Sequence, residues 1–407
     1  MANNNKHTGP NVPALRFPEF SGEWETIKLG DVLKLKGGYA FKSERFLDTG
    51  VPVIRISNLP QSSNSVNLSD CVYYESGNYQ NYTVKNGDLL IAMSGATTGK
   101  TAIYRYNYPA YLNQRVGLFA PKEKVHNLFL YPIVESKTFI SQLSSKLVAG
   151  AQPNISSQDI ETIAVGLPSK EEQIKIAHLF ELINQRIETQ SKIIEELKTL
   201  RSALSESLYY DCDSFQEMSF NDVGECYSGL SGKSSEDFGS GYPFVPYTNI
   251  FANDVIDENQ FEYVQIRENE AQNTVHYGDL LMTLSSETPE EVGIGSVYLG
   301  SESHLYLNSF AFGIHITRTD LVYPPYLSWL VSTKSFRKFI LPFAQGSTRY
   351  NLQKTDFMKA KYRFPTLERQ KTIYKLLSSY SSKIANEEKI LDLYQFQKQG
   401  LLEQMFI

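Results

Sequence analysis

The chain has 407 residues, 41% hydrophobic and 21% charged, with a formal net charge of −6. This length and composition fit a globular protein of two or three domains, and no apolar run approaches the ~18–20 residues that a membrane-spanning helix needs. The opening MANNNKHTGPNVPALRF lacks the apolar core of a secretory signal, so a cytoplasmic, unprocessed protein with no membrane partner is expected.

Residues 1–23 read as an N-terminal leader. From Trp24 the chain repeats itself. WETIKLGDVLKL aligns with FQEMSFNDVGEC from Phe215 at an offset of 191, and the offset holds through VPVIRISNL against YPFVPYTNI and NGDLLIAM against YGDLLMTL. It becomes 195 at YLNQRVGLF against YLNSFAFGI, and 197 from PNISSQDI against YNLQKTDF to the end. Small offset changes between matched blocks are what loop insertions leave in a duplicated fold.

Each copy begins with a region rich in Gly, Tyr and Asn, and carries short β-type runs such as DLLIAM, VGLFAP, AFGIHI and GSVYLG. Short helices are expected near residues 131–145 and 324–340. Each copy ends in a long helix, introduced by Pro168-Ser169 or Pro365-Thr366 with acidic residues in the first turn. The fold class is therefore α+β. Two similar mixed α/β domains, 24–165 and 211–364, are each followed by a helix, 166–210 and 365–407.

Both helices carry a heptad seam. In the first it runs Ile176, Phe180, Ile183, Ile187, Gln190, Ile194, Leu197, Arg201, Leu204, Leu208; in the second Ile373, Leu377, Tyr380, Ile384, Glu387, Leu391, Tyr394, Lys398, Leu401, Met405. The polar breaks fall at equivalent places, where a polar residue can fix register. A helix of about 40 residues is on the order of 60 Å long, more than a small domain can cover, so an antiparallel coiled coil between the copies is expected. That pairing gives a pseudo-twofold object with a globular head at each end of a rod, suited to duplex DNA.

No catalytic set appears. The three cysteines, Cys71, Cys212 and Cys226, have no metal or redox spacing, and the six histidines form no HxH or HExxH, so no metal site is expected. SGATTGKT (94–101) approximates a P-loop centred on Lys100, but Ser94 stands where the first Gly belongs and AIYRYNYPAY opens no helix. YPPY (323–326) has Tyr323 where an amino methyltransferase needs Asp or Asn. The one tidy ExK, Glu387 to Lys389, lies on the second helix. A P-loop enzyme and a coiled-coil scaffold for other proteins stand as alternatives.

Four matched stretches fit nucleic-acid recognition better. KGGYAFKSER offers Lys36, Gly37, Tyr39, Lys42 and Arg45, and its counterpart CYSGLSGKSS offers Ser228 and Lys233. SGATTGKT offers Ser94, Thr97, Thr98 and Lys100, and its counterpart Ser285 and Ser286. LNQR offers Asn113, Gln114 and Arg115, against Asn308. GAQPNISSQ offers Gly150, Gln152 and Asn154, and GSTRYNLQK offers Gly346, Ser347, Thr348, Arg349, Tyr350 and Asn351. Gly lets backbone approach a phosphate, and Asn, Gln, Ser and Arg donate to phosphates or base edges. Residues 24–165 carry 14 basic against 11 acidic side chains, and residues 215–364 carry 11 against 18. DNA contact must therefore be made by local patches or beside a more basic partner.

With PALRFPEFSGEWE (13–25), GDLL in both repeats and GAQPNISSQDIETIAVGLPSKEEQIKIA (150–177), the chain resembles the specificity subunit of type I restriction-modification enzymes. The second copy departs from the last block at Arg349-Tyr350 and Glu368-Arg369-Gln370. The resemblance implies two target-recognition domains that each read half of a split, asymmetric DNA sequence, with the paired helices as a ruler. It implies a non-catalytic chain without a cofactor of its own. Two methylation subunits would bring S-adenosylmethionine to adenine, and two restriction subunits would bring ATP, Mg2+ and cleavage.

Overall fold

Alternation builds the first sheet. In Leu33–Gly37 the leucines are buried and Lys34 and Lys36 are exposed, the period-two pattern of a strand with one wet face. Leu89–Ala92 is buried throughout and lies inside the sheet, flanked by Val116–Pro121 and Thr101–Ile103. In this computed structural model, which describes residues 11–60, 64–148, 154–211 and 214–407, the chain forms two units. The first contains the residues up to Ser191 together with Lys389–Ile407, and the second is Lys192–Glu388.

The first unit has two four-stranded sheets. One runs Leu33–Gly37, Val116–Pro121, Leu89–Ala92, Thr101–Ile103, and the other Val72–Tyr74, Val51–Ile54, Ala110–Leu112, Thr83–Val84. The second unit repeats the first of these as Gly224–Ser228, Ala311–Ile316, Leu280–Thr283, Gly295–Val297, and shortens the other to three strands. In each unit the strand opening the copy pairs antiparallel with the strand before the long helix: Glu25–Lys28 with Ala164–Leu167, and Phe215–Ser219 with Lys361–Pro365. The helices expected near 131–145 and 324–340 are each two short ones, Leu130–Glu135 with Lys137–Val148 and Pro324–Leu330 with Lys334–Ile340.

The long helices span Lys170–Tyr210 and Leu367–Met405. Ser169 caps the first, its Oγ accepting from Glu172 N at 3.3 Å. A buried glutamine then ties each helix start to its globular part. Gln173 donates to the Pro168 carbonyl at 3.0 Å and accepts from His126 N at 2.8 Å; Gln370 donates to the Pro365 carbonyl at 2.8 Å and accepts from Tyr323 N at 2.8 Å. The 197-residue offset thus holds bond for bond.

The helices pair antiparallel, since the start of the first meets the end of the second within one unit and the converse holds in the other. In the first unit Phe180 packs on Phe406 and the Arg186 guanidinium lies over Tyr394. In the second, Lys198 pairs with Glu388 at 2.7 Å and Arg201 donates to Ser381 Oγ at 3.1 Å. Every seam position is buried or half-buried, Ile183, Ile187, Ile194, Leu197, Leu204, Ile384, Leu391, Tyr394 and Leu401 among them.

Two contacts of the seam go beyond what its periodicity implied. Its ends belong to domain cores as well as to the helix pair: Leu402, Met405, Phe406 and Ile407 join the first core, and Leu204, Leu208 and Tyr209 the second. The basic breaks also reach outward from the helix pair. Lys398 binds Glu135 at 2.7 Å beside Tyr131, and Arg201 lies over Trp329 and 3.8 Å from Asp254. Each cation anchors a helix to its globular part. The leader is likewise built in, with Arg16 forming a two-point pair with Glu172 at 2.7 Å for each bond.

Candidate nucleic-acid interface

In the first unit three stretches far apart in sequence meet at one end of the main sheet. Met93 N donates to the Arg115 carbonyl at 2.9 Å, and Ile155 N donates to the Met93 carbonyl at 2.9 Å. A fourth is stitched alongside, Tyr39 N donating to Leu112 O at 2.8 Å and Gln114 N to Tyr39 O at 3.0 Å. This approach explains the second glycine of KGGY, because a Cβ on Gly38 would stand 2.2 Å from the carbonyl oxygens of Leu112 and Asn113. The result is a cleft lined by Met93, Ser94, Gly95, Gln114, Arg115, Asn154 and Ile155. Gln114, Arg115 and Asn154 are exposed there, and the buried hydroxyl oxygens of Ser94 and, in the same turn, Thr97 have no hydrogen-bond partner among the described residues.

The second unit repeats these bonds. Leu284 N donates to Phe310 O at 2.9 Å, Leu352 N to Leu284 O at 2.8 Å, and Leu230 N to Leu307 O at 2.8 Å. A Cβ on Gly229 would stand 2.0 Å from Asn308 O. The same scaffold carries different side chains: Phe310 replaces Arg115, and the guanidinium of Arg349 lies 5.8 Å from the Phe310 ring centre. The tip 346–349 is exposed, and Gly346 holds φ +152° where a Cβ would stand 2.1 Å from Arg349 O. Asn351 is exposed and Tyr350 half-buried beside it.

Other candidates are placed elsewhere. Thr98 and Lys100 line a separate cavity with Glu135, Asn184 and Lys398, and Thr98 Oγ1 donates to Gly95 O at 2.6 Å. Lys100 is followed by the strand Thr101–Ile103, paired antiparallel with Leu89–Ala92, so a P-loop's helix is missing. Lys36 and Gly37 are exposed on the edge strand. Burial pushes the Asp88 carboxyl up, against the pull of Lys85 and, more weakly, of Lys36. Lys42 is exposed, and Arg45 pairs with Glu75 and stacks on Tyr74.

Four candidate side chains, Lys233, Ser285, Ser286 and Asn308, are buried or engaged within their own unit. The Lys233 side chain is 5% exposed and spends its ammonium on Glu270 and the Gln265 carbonyl, an arrangement that holds the Glu270 carboxyl down at about 2. Ser285 and Ser286 are buried strand residues opposite Asn351 and Tyr350, and Ser286 Oγ donates to Glu291 at 2.9 Å. Asn308 turns its own loop, its Oδ1 accepting from Phe310 N at 2.8 Å; Asn113 does so more loosely toward Arg115 N at 3.5 Å. Ser228 is exposed at a strand end. Gly150 and Gln152 lie outside the described residues.

Sequence reading missed the tyrosine cluster beside Tyr39, whose ring is 5.3 Å from both Tyr79 and Tyr82. It missed Phe310, though the repeat aligned it with Arg115. It also missed that His276 and His315 meet around the buried carboxylate of Asp279, His315 Nδ1 lying 2.7 Å from Asp279 Oδ1.

Among the described residues no helix is long and apolar enough to cross a membrane. The family described as Type I restriction modification DNA specificity domain matches the chain twice, over residues 21–199 and 213–393. The type I restriction enzyme MjaVIII specificity subunit of Methanocaldococcus jannaschii is 29% identical over 46% of this chain and 45% of its own length. The EcoAI specificity subunit of Escherichia coli is 30% identical over 46% of this chain and 32% of its own. The matches thus span less than half the length of either relative. The solved S subunit of a type I restriction-modification system from M. genitalium shares the fold, with a TM-score of 0.56 at 14% identity over 97% of this chain and 99% of that one. Its duplicated matches, 21–199 and 213–393, place this chain in the type I restriction modification DNA specificity family.

Proposed function

We propose that this chain is the DNA-binding specificity subunit of a type I restriction-modification complex, each unit reading one half of a bipartite, asymmetric target. The observation that carries this reading is the recurrence of one hydrogen-bonded loop scaffold in both units with different side chains on it. A frame shared by both copies, bearing Gln114 and Arg115 in one and Phe310 and Arg349 in the other, gives two readers of the same build and different preference. The chain binds and specifies. Two methylation subunits, with S-adenosylmethionine, would modify adenine, and two restriction subunits, with ATP and Mg2+, would cleave. The strand after Lys100 argues against a nucleotide-binding enzyme, and the cleft, whose Ser94 and Thr97 hydroxyls have no partner among the described residues, argues against a scaffold alone.

Replacing Arg115 by Ala should weaken binding to the cognate duplex by ~1–3 kcal/mol and relax the preference at one position of one half-site. Fluorescence anisotropy with the cognate duplex and single-base variants measures both. An unchanged isotherm with unchanged preference would remove Arg115 from the reading face.

A further inference from the structure

Asp279 ends the turn before the strand Leu280–Thr283 and is fully buried. Its Oδ2 accepts from Tyr227 OH at 2.6 Å and from His276 N at 2.9 Å, and its Oδ1 meets His315 Nδ1 at 2.7 Å. The rings of His276 and His315 stand 5.4 Å apart, edge to face. One ligand atom from each of His276, Asp279 and His315 can be chosen so that all lie within 4.8 Å of one another. The His315 side chain is 45% exposed, which leaves an approach from solvent. Glu225 is the direct cross-strand partner of His315, so a further carboxylate sits on the same face of the sheet.

The duplication adds a second observation. In the first unit Asp88 occupies the place of Asp279 and makes the same turn bond, its Oδ2 accepting from Lys85 N at 2.7 Å. The neighbours that correspond to Tyr227 and His276 are Lys36 and Lys85. The turn therefore needs neither imidazole. Two of the chain's six histidines nevertheless converge on this carboxylate in the copy where the lysines are gone.

We propose that His276, Asp279 and His315 bind one divalent transition-metal ion, with Zn2+ the best match to two imidazoles and a carboxylate. Three protein ligands and water complete a tetrahedral shell. Asp279 Oδ1 and one nitrogen of each ring ligate, and the proton between Asp279 and His315 leaves to solvent or moves to the other ring nitrogen. Tyr227 and the His276 N–H orient the carboxylate from its second oxygen. The ion would clip the turn at 276–279 to the strand Ala311–Ile316. The proposal is independent of DNA recognition, and its test uses no DNA.

The full chain, stripped with a chelator, is titrated with Zn2+ by calorimetry and with Co2+ by visible absorption, alongside His276→Gln and His315→Gln. Wild type should take up one equivalent, with the intense d–d bands of tetrahedral Co2+ and a raised melting temperature. Either variant should lose the equivalent, the bands and the melting shift, while melting like wild type without metal. Metal uptake by the variants equal to wild type, or no saturable equivalent in wild type, would overturn the site.

Discussion

Replacing Arg16 by Ala should destabilise the first unit by about 3–5 kcal/mol. The Arg16 and Glu172 side chains are 4% and 1% exposed and joined through both carboxylate oxygens. Breaking the pair leaves the buried Glu172 carboxyl without its guanidinium. The N-terminal turn of the helix offsets only part of that cost. Arg16 also donates to the Gly22 and Ser21 carbonyls, so the leader would loosen with it. The second unit has Arg369 at the place of Glu172, reaching toward Leu208 O at 3.5 Å, and has no counterpart of the pair to lose. Urea unfolding followed by probes in each unit should show an early transition in the first unit only. Arg16→Met with Glu172→Leu should recover much of the loss, because removing both charges removes the desolvation problem. Coincident transitions at the wild-type midpoint would contradict the assignment.

The second large effect concerns the helices that both units share. Inserting one heptad after Ser191 and one after Glu388, where the chain passes between units, keeps the seam in phase. It adds roughly 10 Å of helix, about three base pairs at ~3.4 Å each along a strand. Methylome sequencing of cells carrying the complete system should then find both half-sites unchanged and the unread gap wider by about three base pairs. An unchanged gap would dismiss the helices as a ruler, and loss of both half-sites would mean that they do more than separate readers.

Much of this was legible in sequence because a duplication checks itself. The offsets of 191, 195 and 197 reappear as equivalent bonds, Met93 N to Arg115 O beside Leu284 N to Phe310 O, and His126 N to Gln173 beside Tyr323 N to Gln370. The heptad period revealed the helix pair because a solvated helix has no need of an apolar stripe. Direction of side chains was not legible. Lys233 read as a DNA contact, but a carboxylate from a distant loop, Glu270, holds it. Lys100 read as part of the Ser94 loop, yet it lines a different cavity. Arg201 and Lys398 read as register-setting breaks in the seam, whereas both also reach their globular parts through Trp329 and Glu135. His276 and His315 share no local spacing, since the sheet brings them together across strands. Periodicity reports which face is buried, and only the folded contacts report what a polar residue on that face meets.

The central claim is that each unit reads its own half of the target. Residues 24–165 would be exchanged for the corresponding region of another family member, and the methylome of cells carrying the hybrid with its methylation and restriction subunits would be sequenced. The account predicts a split motif in which one half is new and the other half and the gap are retained. A hybrid that changes both halves at once would contradict it.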